Sequence, residues 1–147
     1  MSRADAQRVA DMQAVVDEIA SITRRGKAAY DDDVALRRAI ERCLEILGEA
    51  AKSVSPELAA SHSEIPWSDL SKVRDRLSHH YHRVDSEQLW VIATADVPAL
   101  ADALRVVASD IPQVPQAEQA GAGKTLPSTF AADPDIDVPD RGEWDRP

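Results

Sequence analysis

From Leu36 to Val54 the apolar side chains fall on one side of a helix. Leu36, Ile40, Cys43, Leu44, Leu47, Ala51 and Val54 recur at mostly three- and four-residue steps. A period of 3.6 residues gathers such positions into one stripe, whereas a half-buried strand needs every second residue apolar. The stripe predicts a helix over Asp32 to Ser53 whose apolar face must be covered by other helices. Asp31 to Asp33 stand at its N-terminal end, where the helix dipole favours anions. Cys43 lies on the stripe and reads as a small buried hydrophobe. Gly48 costs a helix interior roughly 1 kcal/mol relative to alanine, so its presence predicts close approach of a second helix.

The same period recurs along the chain. Val9, Met12, Val16, Ile19 and Ile22 predict a first helix from about Ala4 to Thr23, ended by Gly26 behind Arg24 and Arg25. Ser55 followed by Pro56 reads as an N-cap and first helical position, opening a short turn of helix. Leu70, Val73 and Leu77 mark the inner face of a third main helix starting at Trp67 or Ser68. Asp85, three residues before Gln88, is a capping-box pattern that starts a new helix near Ser86, so the previous one must stop between His79 and Val84. Leu89, Ile92, Val97, Leu100, Leu104 and Val107 carry this last helix, which Pro98 should kink or restart behind Asp96. No strand-like alternation is present, and aromatic residues, at 4%, are scarce while alanine and leucine are plentiful. The expected fold class is all-α, a helical bundle of four main helices plus short helical turns.

Composition divides the chain. Residues 112–147 hold six of the nine prolines and three of the five glycines, without a period. They read as a mostly disordered acidic tail, with Trp144 and Phe130 as candidate anchors for a partner, and the folded domain is expected over 1–111. A single cysteine excludes an intramolecular disulfide and a Cys-rich zinc site. The first residues lack the apolar core of a signal peptide, and no apolar run approaches a membrane span, so a soluble, cytoplasmic protein is expected. Net charge −9 argues against broad nonspecific nucleic-acid binding.

One segment departs from that acidic background. "VRDRLSHHYHRVD", Val73 to Asp85, holds three arginines, three of the four histidines and one of the two tyrosines. Its plainest reading is a solvated helix end, where cations complement the dipole. Metal binding is a second reading, through His79 and His82 with His80 and His62 nearby. It lacks a carboxylate at ligand spacing, and the surrounding cations would repel a dication. The third is acid–base chemistry on a phosphodiester. Imidazole moves protons near neutral pH, and an arginine fork meets two phosphate oxygens. With the 2′-hydroxyl of RNA as nucleophile, that chemistry needs no metal and no cofactor.

Helix geometry limits how the parts meet. Arg74 and Tyr81 are seven residues apart and nearly eclipsed, but Arg74 and His79 are about 140° out of register. Either the helix ends at His79, or two copies complete each other's site across a twofold axis.

The residues resemble a known family. "RDRLSHHY" matches the R-x4-H-x-Y motif of HEPN-domain toxins through Arg74, His79 and Tyr81, and more particularly that of the HepT group. "ALRRAIERCLEILGEAAKSVSPEL" and "IPWSDLSKVRDRLSHHYHRVDSEQLWVIATADVPALADAL" are similar to that group's second-helix region and C-terminal half. The resemblance covers about residues 5–110. It implies a HEPN helical bundle and a metal-independent endoribonuclease acting as a homodimer, with the site at the interface. Arg74 and His79 would be the catalytic pair, with Asp75 at the polar position after the motif arginine and Arg76 helping to hold the RNA backbone. Tyr81 would be the residue to which a partner nucleotidyltransferase antitoxin of the MNT type adds AMP. A different class of function stays open: a catalytically silent helical dimer that only binds the nucleotidyltransferase.

Overall fold

The structure is a computed structural model, and it describes residues 3–79 and 84–111. Among these the chain is all-α. Helix α1 spans Arg3–Thr23, α2 Lys27–Asp32, α3 Val34–Ser53, α4 Pro56–Ser61 and α5 Trp67–His79. Helix α6, Ser86–Val91, runs through a π-helical turn, Ile92–Asp96, into α7, Val97–Asp110. The four main helices expected from the apolar period are therefore α1, α3, α5 and the α6–α7 rod. Residues 112–147, with the candidate anchors Phe130 and Trp144, and His80, Tyr81, His82 and Arg83 lie outside the described residues.

The core is where the stripes converge. Val9, Met12, Val16 and Ile19 of α1 meet Ile40, Cys43, Leu44 and Leu47 of α3 and Leu100, Leu104 and Val107 of α7, all buried. Helix α3 is central, packed on α1 along one side and on α5 along another. Gly48 marks the α3–α5 crossing. A Cβ built there would stand 2.2 Å from Arg74 Cβ and 2.5 Å from the Leu70 carbonyl oxygen. The glycine is the close-approach point that its place in the helix predicted.

Local chemistry sets the element ends. Asp33 caps α3 by accepting from Ala35 N, and Ser55 caps α4 by accepting from Leu58 N. The expected start of the second main helix at Asp32 is thus moved to Val34, because the aspartate run divides its work. Asp31 takes an ion pair with Lys27, Asp32 closes α2 and Asp33 caps α3. Asp85 caps α6 through Glu87 N. Pro98 enters in the first turn of α7, directly after the π-helical turn. The wider turn makes room for a ring that lacks an N–H and clashes with the preceding turn. Ser55 does more than cap α4. Its N–H and hydroxyl both donate to the carboxylate of Asp5, at 2.9 and 2.8 Å, and Asp5 is fully buried.

Helix α2 was not expected. It folds Tyr30 into the core, fully buried, with its hydroxyl donating to the Ser86 carbonyl at 3.0 Å and its ring 5.0 Å from that of Trp90. Six residues carry no readable period, and long-range contacts such as this one give the turn its place. His62, weighed as a metal ligand on sequence, sits buried in the turn after α4. Its ring nitrogens face Glu64 at 3.1 Å and Asp110 at 3.8 Å, tying that turn to the end of α7.

Candidate active site

Arg74 lies in the middle of α5, on the turn that crosses Gly48. The missing side chain at 48 lets the arginine stem lie against the α3 backbone, so its guanidinium emerges beside the next residue, Glu49. Arg74 Nε forms an ion pair with Glu49 Oε2 at 2.9 Å, and its Nη1 donates to Asp75 Oδ1 at 3.0 Å. Lys52, one turn along α3, stands 3.7 Å from the same Asp75 oxygen. Two cations and two carboxylates thus share one patch, with Arg74 the least exposed of the four at 29%. The Arg74 hydrogen bond is the main cause that holds the Asp75 carboxyl below its ordinary range, with Coulombic help from Lys52, Arg74 and His79. Partly exposed pairs of this kind contribute little stability. Their effect is to hold one guanidinium in a defined direction.

Arg74 opens onto a groove of about 330 Å³ between α1, α3 and α5. Ser78, one helical turn after Arg74, shares this groove. His79 is exposed at the end of α5. The helix is regular through His79, so within one protomer the imidazole leaves the helix on a different side from Arg74, as the register requires. Arg76 is exposed and lines a separate, smaller crevice with Val73, Leu77, Val84, Gln88 and Leu89. The structure therefore brings together Arg74 and Asp75 of the sequence-derived set, leaves His79 close enough to act on Asp75 electrostatically, and places Arg76 on a separate crevice. Tyr81 lies outside the described residues.

Sequence reasoning missed Glu49 and Lys52. Their signal was present only as charges one and four residues after the helix glycine. Which α5 residue would meet them depends on the rotational register of two helices, which a single stripe does not specify.

The chain matches the family model described as "Ribonuclease HepT-like" over residues 12–107, a span that contains Arg74, Asp75, Arg76 and His79. It belongs to the HepT-like ribonuclease family. A protein of Thermococcus cleftensis named "Probable ribonuclease HepT" is 33% identical over 103 residues, which cover 68% of this chain and 92% of the relative. A Methanocaldococcus jannaschii protein named "Putative RNase MJ1216" is 28% identical over 102 residues, covering 69% of this chain and 84% of the relative. No solved structure matches the chain. Among the described residues, no helix is long and apolar enough to cross a membrane.

Proposed function

We propose that this chain is the toxin of a HEPN/MNT toxin–antitoxin pair, a metal-independent endoribonuclease working as a homodimer. The observation that carries the reading is Arg74, seated over Gly48 and held by Glu49 and Asp75 at the mouth of a groove, within the family-matched span. A fixed guanidinium suits a phosphorane that gains negative charge in the transition state. His79 takes the proton from the 2′-hydroxyl as that oxygen attacks phosphorus, and the imidazolium so formed gives it to the departing 5′-oxygen. The products are a 2′,3′-cyclic phosphate and a 5′-hydroxyl. Because Arg74 and His79 diverge on one α5, the twofold partner supplies the imidazole that faces each Arg74.

Silencing is assigned to Tyr81. The antitoxin transfers AMP from ATP to the phenol oxygen with release of pyrophosphate, adding a negative phosphodiester seven residues from Arg74 in the chain. Tyr30, the other tyrosine, has its hydroxyl committed to Ser86 inside the core, which supports Tyr81 as the acceptor. One observation favours the non-catalytic reading, a binding module for the nucleotidyltransferase: Arg74 already has two carboxylate partners that RNA must displace.

Cleavage of total RNA by the purified, unmodified protein in EDTA tests the proposal. Arg74→Ala and His79→Ala are each expected to lower the rate about 100- to 10,000-fold with helicity unchanged. Cleavage that stops in EDTA and returns with a divalent metal contradicts the metal-free mechanism. Inactive wild-type protein that still binds the nucleotidyltransferase supports the binding module.

A further inference from the structure

Three helices each place an arginine on the groove that Arg74 opens: Arg8 from α1, Arg42 from α3 and Arg74 from α5. Between them the floor is Ile46 and Ala50, both half-buried. Arg42, Ile46 and Ala50 follow one another at four-residue steps, so they form one line along α3. From Arg42 to Glu49 is seven residues, about 10 Å along the helix axis. Arg42 is 71% exposed and pairs with Glu45 at 3.2 Å, and Arg8 stands 3.8 Å from Asp5. Both keep donors for a ligand, because a guanidinium carries five N–H groups in a fork. The cavity volume, about 330 Å³, lies at the small end of the range of roughly 300–1,000 Å³ that small-ligand sites occupy.

We infer that this groove is a subsite for one nucleotide of single-stranded RNA adjacent to the scissile phosphate, with Arg42 and Arg8 contacting the flanking phosphate. The inference rests on the ribonuclease reading for the phosphate at Arg74 and extends it to residues outside the motif. A strand bound at Arg74 must leave across the protomer surface. On the Arg76 side it meets a crevice of about 30 Å³ lined largely by apolar residues, too small for a base. On the α3 side it meets an apolar strip that a base or ribose covers, then a second arginine that takes the next phosphate. Arginine rather than lysine suits this place, since its planar fork engages two phosphate oxygens at once. The acids beside the strip, Asp11, Glu45 and Glu49, limit the groove to a single strand. They would repel the second backbone of a duplex, and their oxygens accept from the exocyclic amines of a base.

The test uses the full-length protein and two versions of one mixed-sequence octanucleotide. One is all-ribose, and the other is fully 2′-O-methylated and so binds without being cleaved. Fluorescence anisotropy of the methylated strand is followed against salt for wild type, Arg42→Ala, Arg42→Lys and Arg38→Ala. Arg38 is an exposed α3 arginine paired with Glu41 outside the groove. Arg42→Ala is expected to weaken binding on the order of tenfold and to reduce the slope of log affinity against log salt by about 0.7. Arg42→Lys recovers the slope but only part of the affinity, and Arg38→Ala behaves as wild type. On the all-ribose strand the loss in Arg42→Ala falls on KM. Wild-type affinity and slope in Arg42→Ala, with cleavage intact, overturn the subsite and leave the ribonuclease reading standing. Binding that depends on Arg42 in a protein that cleaves nothing overturns the ribonuclease reading and leaves the groove as an RNA-binding site without a scissile phosphate beside it. A wild-type protein that does not bind the methylated strand overturns the subsite.

Discussion

Gly48 sets two opposing effects against each other. In an exposed helix, glycine to alanine gains about 1 kcal/mol of helix propensity. Here the new methyl would stand 2.5 Å from the Leu70 carbonyl oxygen, a backbone atom that cannot swing aside. Overpacking of this kind costs about 1–3 kcal/mol, so steric cost wins and Gly48→Ala is expected to destabilise the fold. Urea denaturation measures the change, and a stabilised variant would show that the crossing is looser than described. Because the methyl pushes on the Arg74 stem, cleavage should fall further than stability does. Cys43 offers a second check at this scale. Burial, helped by the Glu18 carboxylate that its thiol faces at 3.6 Å, pushes its pKa up to about 11. In the unfolded chain the thiol ionises at about 8.5, so the fold retains a proton that the unfolded state has lost. Stability from this group is complete below that value and declines as pH rises towards 11. A disulfide reagent at pH 8 should leave native Cys43 untouched and react fully in denaturant. Rapid reaction of the native protein would contradict the burial.

Element ends decide where the functional residues point. The start of α4 hangs on Ser55, whose hydroxyl accepts from Leu58 N at 3.2 Å and donates to buried Asp5. Ser55→Ala removes a cap and a charge-assisted hydrogen bond together, an expected loss of about 2–3 kcal/mol in urea denaturation. Ser55→Asp keeps a capping oxygen but sets two carboxylates against each other, so it should not rescue. A loss below about 0.5 kcal/mol in Ser55→Ala would mean that Asp5 is held by its other contacts. The cap was legible in "SP" and the glycine crossing in the α3 stripe. The Asp5 contact was not, since it joins residues 50 positions apart. Helix α2 was missed for the same reason. Its six residues are placed by Tyr30 reaching Ser86 and by Lys27 pairing with Glu87, and the local Lys27–Asp31 pair was too short a signal to read as a helix.

At the scale of the molecule, the helix register that sets Arg74 and His79 about 140° apart on α5 is the reason a composite site is proposed. Sedimentation at micromolar concentration should give a dimer. Mixing Arg74→Ala with His79→Ala protein should restore partial activity, because one interface of the mixed dimer then pairs an intact arginine with an intact histidine. A monomer that cleaves RNA, or no complementation on mixing, would contradict the shared site.

The sequence by itself determined the helical class, the four main rods, the caps at Ser55 and Asp85 and the family. Each rests on a local period or on residues close in the chain, and local steric rules are enough to read them. It also singled out Arg74, because the charged cluster interrupts an acidic background. Only the tertiary structure decided what Arg74 touches. Its pairing with Glu49, and the groove it shares with Arg8 and Arg42, follow from the depth at which α5 sits over Gly48 and from the rotation of three helices about their axes. A stripe shows which face of a helix is buried. It does not show which neighbour covers that face or at what register, because many pairings bury the same apolar area and only the packed side chains distinguish them.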